Sequence, residues 1–169
     1  MNQISNWVKY CLDIIPNKKG TSLDLACGKG RHSILLSSYG YNVFAVDINQ
    51  QNLSCFNNKL ITKKIIDIEN LKNWPLKKEK FDIIVVTNFL NRDIFPSIIK
   101  SINKNGYLIY ETFSVGHQNI GKPKNPDYIL KQRELISLCV ELKLIAYEEI
   151  YTENSIDNSF KQRIFSINV

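Results

Sequence analysis

The chain lacks any apolar run near the roughly 18 residues that a membrane-spanning helix needs. Its start, Met1-Asn2-Gln3-Ile4-Ser5-Asn6-Trp7, has neither the basic nor the apolar stretch of a secretory leader. A cytoplasmic protein without membrane attachment is therefore expected. There is no CxxC pair. Cys11, Cys27, Cys55 and Cys139 stand at spacings that match no zinc pattern, so no metal is expected and the four read as reduced, small buried side chains. No repeat, low-complexity stretch or long linker divides the 169 residues, so residues 1–169 are expected to form one domain. Histidine is limited to His32 and His117. Arginine is scarce too: the net charge of +6 rests mostly on lysines spread along the chain. Clusters such as Lys77-Lys78-Glu79-Lys80 read as solvated loops, so a nucleic-acid partner is possible but not favoured.

What is present is a regular alternation of strands and helices. Ile4, Trp7, Val8, Cys11, Leu12 and Ile15 share one helical face, and Pro16 ends that helix. Strands are expected at 22–26, 42–47, 60–66, 81–87 and 107–112. Helices are expected at 31–38, 49–57, 92–102 and 129–142. Segments 144–152 and 160–169 read as a final antiparallel pair. Phe81-Asp82-Ile83-Ile84-Val85-Val86-Thr87 is almost continuously apolar, as a strand buried on both faces must be. The pattern predicts an α/β fold: a doubly wound, Rossmann-like seven-stranded sheet, mostly parallel with an antiparallel last strand, and helices on both faces. Ligands of such sheets bind outside the carboxyl ends of the strands. The places to look are then 26–30, Asp47, Asp67, 87–89 and 111–112.

At the first of these exits, Cys27-Gly28-Lys29-Gly30 joins a strand to a helix, and two glycines let the backbone turn sharply against a ligand. A dinucleotide fingerprint wants a third glycine at position 33, where this chain has Ser33, which argues against an NAD-type site. Asp24 just upstream would repel phosphate. It suits a cationic, amino-acid-like ligand, through loop amides or water. Asp47 ends the second strand, where a carboxylate accepts both hydroxyls of an adenosine ribose or caps the next helix. Asp67 ends the third strand. It can accept from an adenine amine, with Ile48 or Ile68 against the ring, or cap a short helix around 69–73.

Taken in order, Asp24-Leu25-Ala26-Cys27-Gly28-Lys29-Gly30, Asp47, Asp67 and Phe81-Asp82 resemble the motifs of class I S-adenosylmethionine-dependent methyltransferases over roughly residues 20–169. Gly30-Arg31-His32-Ser33 and Gly40-Tyr41-Asn42-Val43 look like the tellurite-resistance and thiopurine type, which acts on small molecules. Ala26 stands where the family often has glycine, a variant tolerable if the backbone there is still strand-like.

The resemblance implies S-adenosyl-L-methionine as cofactor, S-adenosyl-L-homocysteine as product, and a small-molecule methyl acceptor. The methionine carboxylate would lie near Gly28 and Gly30, the ribose on Asp47 and the adenine near Asp67. Asp24, Ala26, Cys27, Ile48, Ile68, Thr87 and Asn88 complete the expected cofactor site. Residues 1–19 would form a helix covering the active site. The acceptor end would be built by 87–91, that helix and the loop after Glu111. The Asn-Pro-Pro-Tyr motif of amino-group methyltransferases and the paired cysteines of RNA cytosine enzymes are absent. A sulfonium is already an activated donor, so a base is needed only for a protonated nucleophile. His117, in a polar loop over 114–128, is the first candidate, then Glu111 and Tyr110. His32 is expected to satisfy loop carbonyls or face solvent. Rival readings are an RNA or other nucleic-acid methyltransferase and a non-catalytic adenosylmethionine-binding module.

Overall fold

The computed structural model describes residues 3–16, 19–69, 74–153 and 158–169. In chain order the regular elements are α1 (Asn6–Ile14), β1 (Gly20–Leu25), α2 (Arg31–Ser38), β2 (Tyr41–Asp47), α3 (Gln50–Ser54) and β3 (Ile61–Ile65). They continue as β4 (Phe81–Thr87), α4 (Phe95–Lys100), β5 (Ile102–Phe113), α5 (Glu134–Leu138), β6 (Lys143–Thr152) and β7 (Ser159–Ile167). The strands form one seven-stranded sheet in the order β3-β2-β1-β4-β5-β7-β6. Pairings from β3 through β5 are parallel, and β7 runs antiparallel to both β5 and β6. No helix among the described residues is long and apolar enough to cross a membrane.

The sheet has two cores because β side chains alternate between faces. Ile83 and Val85 of β4 join the core that holds Val8 and Leu12 of α1, Leu36 of α2 and Leu53 of α3. Ile84 and Val86 join the opposite core, with Phe95 and Ile98 of α4 and Leu135 of α5. All four β4 residues are fully buried, which is why this strand reads as a continuous apolar run. In α1, Ser5 accepts from the Val8 amide as N-cap, and the expected face is buried except for Ile4.

Several expected elements differ. The helix expected over 129–142 shrinks to α5, because Arg133 adopts a left-handed φ of 58° that a continuing helix cannot contain. Upstream of it Leu130 instead bridges Ser114. The expected 92–102 helix is a 3-10 turn at Arg92–Ile94 followed by α4. Pro96 sits in the first turn of α4, where a missing N–H costs nothing. The expected 49–57 helix keeps only α3. The possible short helix around 69–73 and most of the β6–β7 connection lie outside the described residues.

Candidate functional site: the carboxyl ends of β1, β2 and β4

The chain winds outward from β1 through β2 to β3, then returns to β4 on the other side of β1. The switch point of the sheet is therefore between β1 and β4, beside the glycine turn. Ala26, the first residue past β1, has φ 54°. This corrects the strand-like backbone expected there: the position is left-handed, a conformation that favours glycine, so Ala26 carries strain. Gly28 has φ 54° too, and a Cβ added to it would meet nothing within 4 Å. The turn thus presents backbone to open space. Gly30 is constrained differently: at φ 74° its missing Cβ would lie 2.4 Å from the Phe56 ring. The first glycine leaves room for a ligand; the second leaves room for the core.

Asp47 holds this turn in place. One carboxylate oxygen accepts from the Gly28 amide at 2.7 Å and the other from the Asn49 amide at 2.8 Å. Asn49, and not Asp47, caps α3, through the Gln51 and Asn52 amides. The cap reading of Asp47 is thereby removed, and each oxygen retains a further lone pair. Asp24 is 1% exposed and accepts from the Ser33 hydroxyl at 2.6 Å. Burial pushes its carboxyl up to about 7, against the lowering effects of Ser33 and Arg31. Ser33, the residue that broke the dinucleotide pattern, is the partner of Asp24. The co-occurrence of an acid before the glycines and a hydroxyl three residues after them was the signal available for this pair.

The remaining expected cofactor residues divide. Ile48 is 62% exposed beside Asp47, whereas Ile68 is buried in the α4-side core and offers no free face. Asp67 is half-buried and accepts from the Glu69 amide at 2.9 Å. Cys27 is buried against the core under α1. Thr87 ends β4 and is buried, and Asn88 beyond it is exposed at φ 54° with its amide bound to the Glu111 carbonyl. A cavity of about 400 Å³ opens outside β3 and β4, between Glu69, Leu90–Asp93 and Asp127–Tyr128.

The three acid–base candidates are not together. Tyr110 projects into the α4-side core, is fully buried, stacks on Phe95 and donates its hydroxyl to the Phe89 carbonyl at 2.8 Å. Burial raises its phenol well above the usual value. It therefore braces the loop after β4 and does not face Glu111. Glu111, on the opposite face of β5, is 2% exposed and accepts from Arg163 Nε, with Lys161 Nζ at 3.8 Å. Arg163 also reaches Glu148 at 3.2 Å. His117 is buried, stacked 4.1 Å from Phe113, and its Nε2–H donates to the Lys122 carbonyl at 2.8 Å. That fixes its tautomer and leaves Nδ1 an acceptor with no partner among the described residues.

Two site residues had weaker signals. His32 is 1% exposed, contrary to either expectation: its Nε2 accepts from the Ser5 amide at 3.1 Å, and its Nδ1 lies 3.3 Å from Thr87 Oγ1. Burial, with Arg31 and Lys161 nearby, pushes the imidazole down to about 3, so it is neutral. Arg92 grips both carboxylate oxygens of Glu134 and the carbonyls of Asp127 and Ile129. It fastens the 127–134 segment to the exit of β4.

The strand order, the glycine turn at the switch point and the acidic strand ends define the Rossmann-like fold of class I methyltransferases. The chain belongs to the TehB family, whose model, described as tellurite resistance protein TehB, matches residues 2–155. It is 33% identical over 141 residues to the probable S-adenosyl-L-methionine-dependent methyltransferase TehB of Haemophilus influenzae, covering 75% of this chain and 47% of that protein. The chain spans about half the length of the curated relatives it matches. The crystal structure of TehB from H. influenzae superposes with a TM-score of 0.74 at 24% identity, over 100% of this chain and 64% of that one. The N-methyltransferase NodS from Bradyrhizobium japonicum WM9, in complex with S-adenosyl-L-homocysteine, has the same fold (TM-score 0.67, 14% identity, 88% and 78% covered).

Proposed function

We propose that this chain transfers a methyl group from S-adenosyl-L-methionine to a small-molecule acceptor. The observation that carries the reading is the brace between Asp47 and the Gly28 amide at the switch point, facing open space. The residues fit the cofactor in three ways. Gly28 leaves unfilled room against its backbone. Asp47 holds two oxygens with spare lone pairs at the place where a ribose diol would bind. Exposed Ile48 offers an apolar surface for adenine. The TehB relatives and the neighbour bound to S-adenosyl-L-homocysteine support the same cofactor.

In this reading Gly28 and Gly30 accommodate the aminoacyl part, Asp47 takes the ribose, and Asp67 and Ile48 take the adenine. Ala26, Cys27, Thr87 and Asn88 form the wall between. When bound, the sulfonium supplies a methyl already activated for transfer. The chain's own task is to align the acceptor and exclude water. The acceptor end is assigned to residues 87–91, α1 and the loop after Glu111, where α1 packs on the core beneath β5 and the His117 turn stacks on Phe113. Residues 1–19 act as its cover. His117 Nδ1 is the base where the nucleophile carries a proton. Glu111, held by Arg163, shapes the charge of that wall. The proposal keeps the cytoplasmic setting expected from the sequence.

Calorimetric titration with S-adenosylmethionine and S-adenosylhomocysteine tests it. Wild type should bind both, and Asp47→Ala should bind at least about tenfold more weakly, the effect of losing hydrogen bonds to a charged acceptor. Absence of binding by wild type would overturn the reading. Equal binding by Asp47→Ala would overturn the ribose assignment.

A further inference from the structure

Arg31 and His32 open the helix that leaves the glycine turn, and both reach back to the N-terminal segment. Arg31 Nη1 donates to the Gln3 carbonyl at 2.8 Å, and the Ser5 amide donates to His32 Nε2 at 3.1 Å. A backbone amide can only donate, so Nε2 carries no proton and the neutral ring holds its proton on Nδ1. That N–H points to Thr87 Oγ1 at 3.3 Å, and Arg31 Nη2 lies 3.5 Å from the same oxygen. The two contacts occupy the acceptor side of the Thr87 hydroxyl at the end of β4.

We infer that His32, with Arg31, is a positioning residue that latches the segment Gln3–Ser5 to the glycine turn and to Thr87, so that the cover of the site and the cofactor turn move as one body. The latch is specific in chemistry: one ring accepts from the cover and donates to the site floor. Its full burial excludes water from competing for either nitrogen. The link to the cofactor rests on the function proposed above; the latch itself does not.

The Ser5 amide is the reporter. Its hydrogen exchange should be slow in wild type without any ligand. In His32→Phe it should be at least about tenfold faster, and S-adenosylhomocysteine should dissociate about tenfold faster. His32→Gln, which keeps an acceptor and a donor, should recover part of both. Should His32→Phe not fold, Ser5→Pro reads the same contact. Ser5 has φ −63°, which proline matches, so the change deletes the amide, and Ser5→Ala controls for the lost cap. Ser5→Pro should speed dissociation about tenfold and Ser5→Ala should not. Unchanged Ser5 exchange in folded His32→Phe, or equal dissociation from Ser5→Pro and Ser5→Ala, overturns the latch. A wild type with slow Ser5 exchange but no binding of S-adenosylhomocysteine overturns the cofactor reading and leaves the latch standing.

Discussion

The two halves of the site handle buried charge in opposite ways. On the β1–β2 side, Asp24 and Asp47 are held by neutral donors: a serine hydroxyl and backbone amides. On the β5–β7 side, Glu111 is met by the cations Arg163 and Lys161. A carboxylate held by backbone amides ties its charge to the local fold and keeps lone pairs for a ligand. A carboxylate held by cations ties distant strands together and leaves little for a ligand. The first half, through Asp47, therefore suits the cofactor role proposed for it, and the second suits a wall held in shape.

The largest expected effect breaks the second half. Glu111→Ala would leave Arg163 and Lys161 without their buried carboxylate, a loss on the order of 3–5 kcal/mol in urea unfolding. A loss under about 1 kcal/mol would mean that Glu148 and solvent already neutralise the cluster. In the first half, Ser33→Ala should cost about 2 kcal/mol by stripping Asp24 of its hydroxyl donor. The cost should be greater at pH 8 than at pH 5, because Asp24 with its carboxyl near 7 is ionised only at the higher pH.

A smaller effect is a pair of opposed pH slopes. The folded-state value of Asp24 is raised from 3.8 to about 7, so its contribution to stability is fully present below pH 3.8 and lost as pH rises through 7. His32 is lowered from 6.5 to about 3, so its contribution is present above pH 6.5 and lost as pH falls toward 3. Each gives a slope of up to about 1.4 kcal/mol per pH unit between pH 4 and 6.5, with opposite sign. Asp24→Asn should make stability rise more steeply with pH in that window, and His32→Phe should make it fall, as read by chemical denaturation at several pH values. Identical profiles in the two variants would refute the opposed burial of these groups. The smallest effect is a gain: Ala26→Gly should add about 0.5–1 kcal/mol by relieving the left-handed φ, partly offset by the freer unfolded chain. A loss there would show that the alanine methyl packs usefully.

The strand ends and glycine turn of the proposed binding half were legible in the sequence because their signals are local. Strand, glycine turn and helix follow one another without interruption from Gly20 to Ser38, and Asp47 ends its own strand. Handedness and partnership carry no such local signal. The left-handed φ of Ala26 is invisible when the residue is not glycine, and Ile68 looked equivalent to Ile48 until the core absorbed it. The wall half was poorly legible because it is made of long-range pairs. Glu111 meets Arg163 only through the β5–β7 register, and Tyr110 and Glu111 fall on opposite faces by strand alternation. The helix expected at 129–142 failed for a related reason. Arg92 and Gln162, both distant in sequence, satisfy the 127–135 backbone in place of helical hydrogen bonds.

The contrast between a binding half and a wall half is tested most directly by a crystal structure of the chain grown with S-adenosylhomocysteine. The expected result is the ribose within hydrogen-bonding distance of Asp47, about 2.7 Å, with Gly28 against the aminoacyl part and Ile48 on the adenine. A ligand seated instead among Glu111, Lys161 and Arg163, or bound with Asp47 untouched, would contradict the account.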